Sequence, residues 1–243
     1  MLTNKPEISV VLLCYRSEEE TWGFVEVLKR SLEELDVSWE LILVGNYIEG
    51  SLDQTPKIVK KIASQDPRIK AISNVKQGMM GWDMRHGLEA ASGKTIAVLD
   101  GDGQIPLEDV ARVYKKLKKD NMDMVKTYRE KRCDGPYRRF ISGVYNVLFQ
   151  ILFPGLGCKD VNSKPKIFTE ETYKKMELKS DDWFIDAEIM IQVRRLDIDC
   201  AEIPAQFKKL SLRKSFIKHV TILEFISNLI LFRLCEFRFW LKK

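Results

Sequence analysis

The hydrophobic positions of this chain fall into two kinds of run. Short continuous ones read as strands buried on both faces: Ile8–Tyr15 (ISVVLLCY), Trp39–Val44 (WELILV), Ile69–Ile72 and Thr95–Leu99. Between them, apolar residues recur at helical spacing. Trp22, Val25, Leu28, Leu32 and Leu35 mark a helix within Glu18–Leu35. Thr55–Ser64 is a second helix, with Pro56 in its first turn. The loop Asn74–Trp82 (NVKQGMMGW) runs into a third, for which Gly93 is the expected C-cap. Leu107–Lys119 is a fourth, and Asp123–Thr127 is strand-like. Four rounds of strand and helix predict an α/β domain, a mostly parallel sheet with helices on both faces. Ligands of such sheets bind outside the carboxyl ends of the strands. Three polar loops begin at such ends, at Arg16, at Gly45-Asn46 and at Asp100-Gly101-Asp102, and are expected to share one crevice.

The second half is less regular. Pro136–Phe153 has helical spacing, Asp160–Phe168 (DVNSKPKIF) is a loop leading to a short strand, and Asp181–Leu196 enters a helix. Cys200–Phe207 carries Pro204, which suits an edge strand. No linker splits the chain before about Leu210, so 1–214 reads as one domain and 215–243 as a helical tail. In the tail, Phe216, Val220, Leu223, Ile226, Ile230, Leu234, Phe237 and Leu241 recur at three- and four-residue steps, the pattern of one or two amphipathic helices. Its longest uncharged run, Phe225 to Phe232, falls far short of the roughly 20 residues of a membrane span. Three placements stay open for it: lying in a membrane interface, docking on the domain, or pairing two subunits.

Composition narrows the class. The chain of 243 residues is 45% hydrophobic and 31% charged, ordinary for a globular protein. Of its net charge of +5, the segment Gln206–Lys243 contributes +7, so the remainder carries about −2. That argues against a nucleic-acid-binding body and for an anionic surface near the C-terminus. Five scattered cysteines without a CxxC pair suit a reduced, cytoplasmic protein. The N-terminus lacks the basic region of a signal peptide. Two histidines, His86 and His219, nearly exclude a histidine-rich zinc site.

The chemistry concentrates in IAVLDGDGQIPLEDV, Ile96–Val110. An EF-hand with Gly103 as its invariant glycine would place Val98, which has no ligand atom, at position one, and Pro106 inside the loop. A strand also precedes it where a helix is required. The run can be a plain turn, since Asp and Gly favour turns. Alternatively, two carboxylates at a strand end hold Mg2+ or Mn2+ on a diphosphate, where the cation offsets the charge on a departing nucleoside diphosphate.

Four segments in order, VVLLCYRSEEE, ELILVGN, VKQGMMGWDMRHGLEAASG and IAVLDGDGQIPLEDV, resemble the family 2 glycosyltransferases with the GT-A fold. The similarity covers about Ile8 to Lys214 and is greatest to the dolichyl-phosphate mannose synthase-like, polyprenyl-phosphate branch. It implies an inverting enzyme that uses a metal-bound nucleotide sugar. It places Asp100, Asp102 and Gln104 at the metal. Around the donor it places Leu13, Tyr15, Ser17, Gly45, Asn46, Lys76, Asp100, Gly101 and Asp102, with Lys208 and Arg213 near the diphosphate. Leu13 stands where the family usually has proline, Ser17 near its usual glutamate, and Gly45-Asn46 where paired aspartates hold the nucleoside.

On the acceptor side, VKTYREKR and YRRFISGVYN resemble the same branch and place Arg129, Arg138 and Ser142 at the acceptor phosphate. Residues 138 and 142 share a helix face, and arginine's fork suits phosphate oxygens. The bland reading is a solvated basic patch. DVNSKPKIF matches a D-x-x-S segment at Asp160 and Ser163, and WFIDAEI matches an acidic stretch at Asp186 and Glu188. An ionised lipid phosphate attacks without a base; a hydroxyl acceptor needs one. Asp181, Asp182, Asp186 and Glu188 are the candidate bases, with Asp181 and Asp182 equally suited to cap a helix. The reading is therefore a glycosyltransferase acting on a polyprenyl phosphate. The alternatives are the same fold acting on a hydroxyl, or a non-catalytic sugar-nucleotide scaffold. Expected partners are the UDP- or GDP-linked donor, a membrane surface met by the tail, and a second subunit or membrane protein.

Overall fold

The computed structural model describes residues 5–131, 136–207 and 219–240, with only the backbone described at 131, 136–138, 219–224, 235 and 237–240. In chain order the elements are β1 (Ile8–Leu13), α1 (Glu20–Glu33), β2 (Trp39–Val44), α2 (Thr55–Ala63), β3 (Ile69–Ile72), α3 (Met80–Glu89), β4 (Thr95–Asp100), α4 (Asp109–Lys119), β5 (Met124–Lys131), α5 (Pro136–Leu152), β6 (Lys166–Thr169), α6 (Glu170–Lys175), α7 (Ile185–Arg195), β7 (Cys200–Gln206) and α8 (His219–Trp240). The strands form one seven-stranded sheet in the order β3-β2-β1-β4-β6-β5-β7. Among the described strands only β6 runs antiparallel to its neighbours. β7, which carries Pro204, lies at the edge, where proline is tolerated in a sheet.

The continuous apolar strands follow from burial on both faces. Val10 and Leu12 of β1 and Cys14 just after it join Val25, Leu28 and Leu32 of α1 and Val110 and Val113 of α4 in one core layer. Val11 and Leu13 join Met84 and Leu88 of α3 and the apolar residues of α7 in the other. Successive strand residues point to opposite faces, so no polar alternation survives where both faces are covered. A Cβ on Gly87 would lie 2.3 Å from Val11 Cγ1, so glycine lets α3 close onto the sheet. Gly93 is not the predicted helix cap: α3 ends at Glu89 with Ala90 as cap. Instead the Gly93 amide donates to Ser9 Oγ at 2.7 Å, and a Cβ there would lie 2.7 Å from the Ser9 nitrogen.

The tail helix α8 docks on the domain. Leu229 is fully buried in the same core as Phe149, Phe153 and Phe184. Phe225 meets Tyr145 at 5.4 Å and Phe232 meets Phe184 at 4.8 Å. Burying one such side chain stabilises by about 2 kcal/mol, so a few suffice to hold the helix. Asn228 Nδ2 donates to Asp182 Oδ2 at 2.8 Å, which ties α8 to the loop before α7. Outward, Ile230, Leu231 and Leu234 are about half exposed. No helix among the described residues is long and apolar enough to cross a membrane.

Candidate active site

The parallel register sets Leu13 beside Val44 on one side and Asp100 on the other, so the three polar loops start side by side. Backbone bonds fasten them. Cys14 N–H donates to Val44 O at 2.8 Å and Gly101 N–H to Leu13 O at 2.9 Å. Ser17 is buried and donates to the Gly101 carbonyl at 2.5 Å, so it clamps the first loop to the D-x-D turn. Arg16 and Glu18, on either side of it, hold φ of 55° and 42°. Non-glycine residues in that region cost about 1 kcal/mol or more, strain of a kind found at functional loops. A Cβ on Gly101 would lie 2.8 Å from Leu13 O, so this glycine serves the β1 contact; Gly103, at φ 72°, serves the turn.

At the crevice mouth, the Asp100 side chain is 27% exposed. Asp102 Oδ1 accepts the Gln104 amide at 2.9 Å, which shapes the turn. The donor set of Asp100, Asp102 and Gln104 is all oxygen, as Mg2+ and Mn2+ prefer. Among the described residues no group of three or more His, Cys, Asp or Glu could hold an ion by itself. The residues therefore fit a cation shared with a diphosphate; Mg2+ is commonly held by one or two carboxylates together with substrate phosphates.

Behind Asp100 lies an ionic cluster that the sequence did not reveal. Lys164 Nζ bonds Asp186 Oδ2 at 2.7 Å and Asp100 Oδ2 at 3.2 Å, and Lys166 Nζ donates to Asp186 Oδ1. Burial would raise the Asp186 carboxyl, but the two ammonium groups outweigh it and hold it below the usual carboxylate range. Burial would lower Lys164, but Asp100 and Asp186 keep it above the lysine range. Lys166 is pushed down to about 8 by burial.

The other candidate bases are also engaged. Glu188, buried, accepts the Lys179 amide at 2.9 and 3.1 Å and the Ser180 amide at 2.8 Å. Asp181 pairs with Arg85 at 2.6 Å. Asp182 caps Phe184 N–H and accepts Asn228, both at 2.8 Å. The 180–182 backbone also closes the start of α3. Asp181 O accepts Met79 N–H at 2.7 Å and Trp82 N–H at 3.2 Å, and Asp182 O accepts Gly81 N–H at 2.9 Å.

Asn46, aligned by resemblance with nucleoside-binding acids, is fully buried. Its Nδ2 donates to Asp83 Oδ1 at 2.9 Å and its Oδ1 accepts the Asn74 amide at 2.8 Å, so it braces β2 against α3. Gly45 is held there because a Cβ would lie 2.8 Å from Val59. Lys76 pairs with Asp83 and lies 4.6 Å from the Tyr15 ring centre. Burial lowers Lys76 and raises Asp83, each against the pull of the other's charge. Beside these lies a cleft of about 290 Å3 lined by Arg16, Glu18, Ser51, Leu52 and Asp53. Ser51 Oγ and Asp53 Oδ2 are buried there without a hydrogen-bond partner. Asp53 Oδ1 also caps α2 through the Thr55 amide at 3.0 Å. An Asp-x-Thr-Pro helix start was the available signal, and it reads as a cap alone.

On the acceptor side, Arg129 forks onto Asp160 through Nε at 2.5 Å and Nη2 at 2.7 Å, with Phe207 5.1 Å away. Ser163 Oγ bonds Thr127 Oγ1 at 2.8 Å. Ser142 is half-buried on α5, and the Arg138 side chain, Lys208 and Arg213 lie outside the described residues. The opposite face of α5 exposes Phe140, Val144, Val147 and Ile151 at helical steps, each 48–70% exposed.

Solved structures share this architecture. A glucosyl-3-phosphoglycerate synthase from Mycobacterium tuberculosis, in complex with Mn2+, UDP and glucosyl-3-phosphoglycerate, superposes with a TM-score of 0.67 at 19% identity, over 94% of this chain and 80% of that one. At that identity the likeness concerns the fold. A dolichyl-phosphate beta-glucosyltransferase of Trichomonas vaginalis is 26% identical over 222 residues, 84% of this chain and 66% of its own length. An undecaprenyl-phosphate 4-deoxy-4-formamido-L-arabinose transferase of Salmonella choleraesuis is 30% identical over 146 residues, 59% of this chain and 43% of its own. The chain thus spans less than two thirds of the length of these curated relatives. The Glycosyl transferase family 2 profile matches residues 9–177, more than half of the chain and including β1, β2, β4 and the D-x-D turn, so the chain belongs to glycosyl transferase family 2.

Proposed function

We propose that this chain is a hexosyltransferase that moves a sugar, with inversion, from a nucleotide-sugar donor to the phosphate of a polyprenyl lipid at the cytoplasmic face of a membrane. Relatives named for dolichyl and undecaprenyl phosphates support the acceptor class. The observation that carries the reading is the state of the four acids. Asp181, Asp182, Asp186 and Glu188 are each engaged by arginine, lysine, asparagine or backbone N–H. Asp186 in particular is made a weaker base. A phosphate acceptor, ionised at neutral pH, needs no proton removed.

Asp100 and Asp102, with Gln104, would hold Mg2+ or Mn2+, which supplies positive charge at the diphosphate oxygens. The unpartnered Ser51 Oγ and Asp53 Oδ2, with Arg16 beside them, suit the nucleoside, and take the place that Gly45-Asn46 was expected to fill. Tyr15, in the loop after β1, and Lys76, in the loop before α3, meet with Lys76 Nζ 4.6 Å from the Tyr15 ring centre, and suit the same crevice. An acceptor phosphate oxygen then attacks the anomeric carbon opposite the departing diphosphate, forming one C–O bond as the other breaks. Arg129 and Ser142, with Arg138 on the same helix, hold that phosphate. The exposed apolar stripe of α5 and Ile230, Leu231 and Leu234 of α8 suit lipid chains. The free cysteines Cys14, Cys158 and Cys200 suit a reducing compartment. The test is a thermal-shift screen of UDP- and GDP-sugars with and without Mn2+. Cation-dependent stabilisation by one donor is expected, about 2.7 kcal/mol at a hundredfold excess over Kd. No shift with any donor would return the chain to a non-catalytic scaffold.

A further inference from the structure

Lys164 stands where the D-x-D turn meets the acidic helix α7. Its Nζ lies 2.7 Å from Asp186 Oδ2, 3.2 Å from Asp100 Oδ2 and 3.6 Å from Met80 Sδ. Its side chain is 2% exposed. Asp186 does not need Lys164 for neutrality, because Lys166 Nζ already donates to Asp186 Oδ1. The added charge therefore falls on Asp100, the carboxylate at the crevice mouth. Nor can an ammonium chelate or be shared widely: it is a compact point charge on a flexible stem.

We propose that Lys164 is a fixed internal counter-cation of the D-x-D turn that makes the site select a divalent cation already bound to a diphosphate over the bare cation. The proposal rests on Asp100 and Asp102 being the cation ligands. A bare divalent ion meets two carboxylates with an ammonium group bonded to one of them. A cation carrying a diphosphate brings negative charge of its own, which the same ammonium attracts. Lys164 thus opposes the first ligand and favours the second. Its burial leaves salt little power to screen it. A resident charge at such a distance shifts an ionic equilibrium by about one to three powers of ten. Lys164 is on this account a positioning residue, and its effect is read in binding.

The test is Mn2+ titration followed by electron paramagnetic resonance on the full chain, with and without UDP, for the natural protein and Lys164→Met. Lys166 still donates to Asp186, and Met80 Sδ lies 3.6 Å from Lys164 Nζ, so the variant is expected to fold. Should Lys164→Met not fold, Lys164→Gln, whose amide still donates to a carboxylate, carries the same expectation. The natural protein should bind Mn2+ weakly alone and at least about tenfold more tightly with UDP. The variant should bind Mn2+ alone at least about tenfold more tightly than the natural protein, with a smaller gain from UDP. A folded variant with equal or weaker affinity for Mn2+ alone overturns the role of Lys164. Absence of Mn2+ binding by the natural protein even with UDP overturns the cation site itself, a distinguishable result.

Discussion

Glu188→Gln separates a structural acid from a catalytic one. The Glu188 carboxylate accepts two backbone amides, Lys179 and Ser180, through three contacts of 2.8 to 3.1 Å. Glutamine keeps one acceptor oxygen and turns an NH2 toward the other amide, leaving that donor unpaired. Hydrogen bonds to charged groups contribute about 1.5–3 kcal/mol each, so the variant should lose about 2–3 kcal/mol. At about 2–4 °C per kcal/mol for a chain of this size, Tm should fall by about 4–12 °C. Because 179–182 also closes the start of α3, the loss spreads to that helix. The assay pairs a melting curve with turnover per folded molecule, measured well below the variant's Tm. Turnover should stay within about tenfold of the natural protein, since a positioned general base contributes about a hundredfold or more. An unchanged Tm with turnover lowered a hundredfold would refute the structural role and make Glu188 a base.

Three further outcomes are expected. Gly81→Ala places a Cβ 2.4 Å from Ser180 O and 2.6 Å from Asp182 O; stability should fall by about 1–3 kcal/mol, read by urea titration. The Asp186 carboxyl is depressed in the folded state, so its stabilisation is present above the usual carboxylate pKa of about 3.9 and is lost as pH falls through the lower folded value. Urea midpoints at pH 6 and pH 3 should therefore differ more for the natural protein than for Asp186→Asn. Phe140→Asp with Val147→Asp, at exposed positions of α5, should leave Tm unchanged within about 2 °C while reducing co-flotation with anionic vesicles at least severalfold. Equal flotation would remove α5 from the membrane-facing surface.

The strands were legible because a parallel sheet buried on both faces writes itself as continuous apolar runs, as in ISVVLLCY and WELILV. The D-x-D turn was legible because its spacing is local and its neighbours resemble a family. What local pattern could not carry is what distant residues do to one another. β6, four residues long, enters between β4 and β5 in antiparallel sense. Lys164 and Asp100 meet from 64 positions apart. The burial of Asn46 between Asp83 and Asn74 is a tertiary fact of the same kind. The partners that engage Asp186 and Glu188 are likewise tertiary facts, and Gly93 looked like a cap although its space is set by Ser9. The apolar repeat of the tail was visible, but its docking through Phe225, Leu229 and Phe232 was not.

A polyprenyl phosphate acceptor needs no base. The direct measurement is transfer from the donor identified by thermal shift, with Mn2+, to a polyprenyl phosphate and to the matching polyprenol, both in detergent. Sugar should appear on the polyprenyl phosphate in the inverted configuration, with none on the polyprenol. Equal or faster transfer to the polyprenol, or a requirement for Asp186 or Glu188 as a proton acceptor, would contradict it.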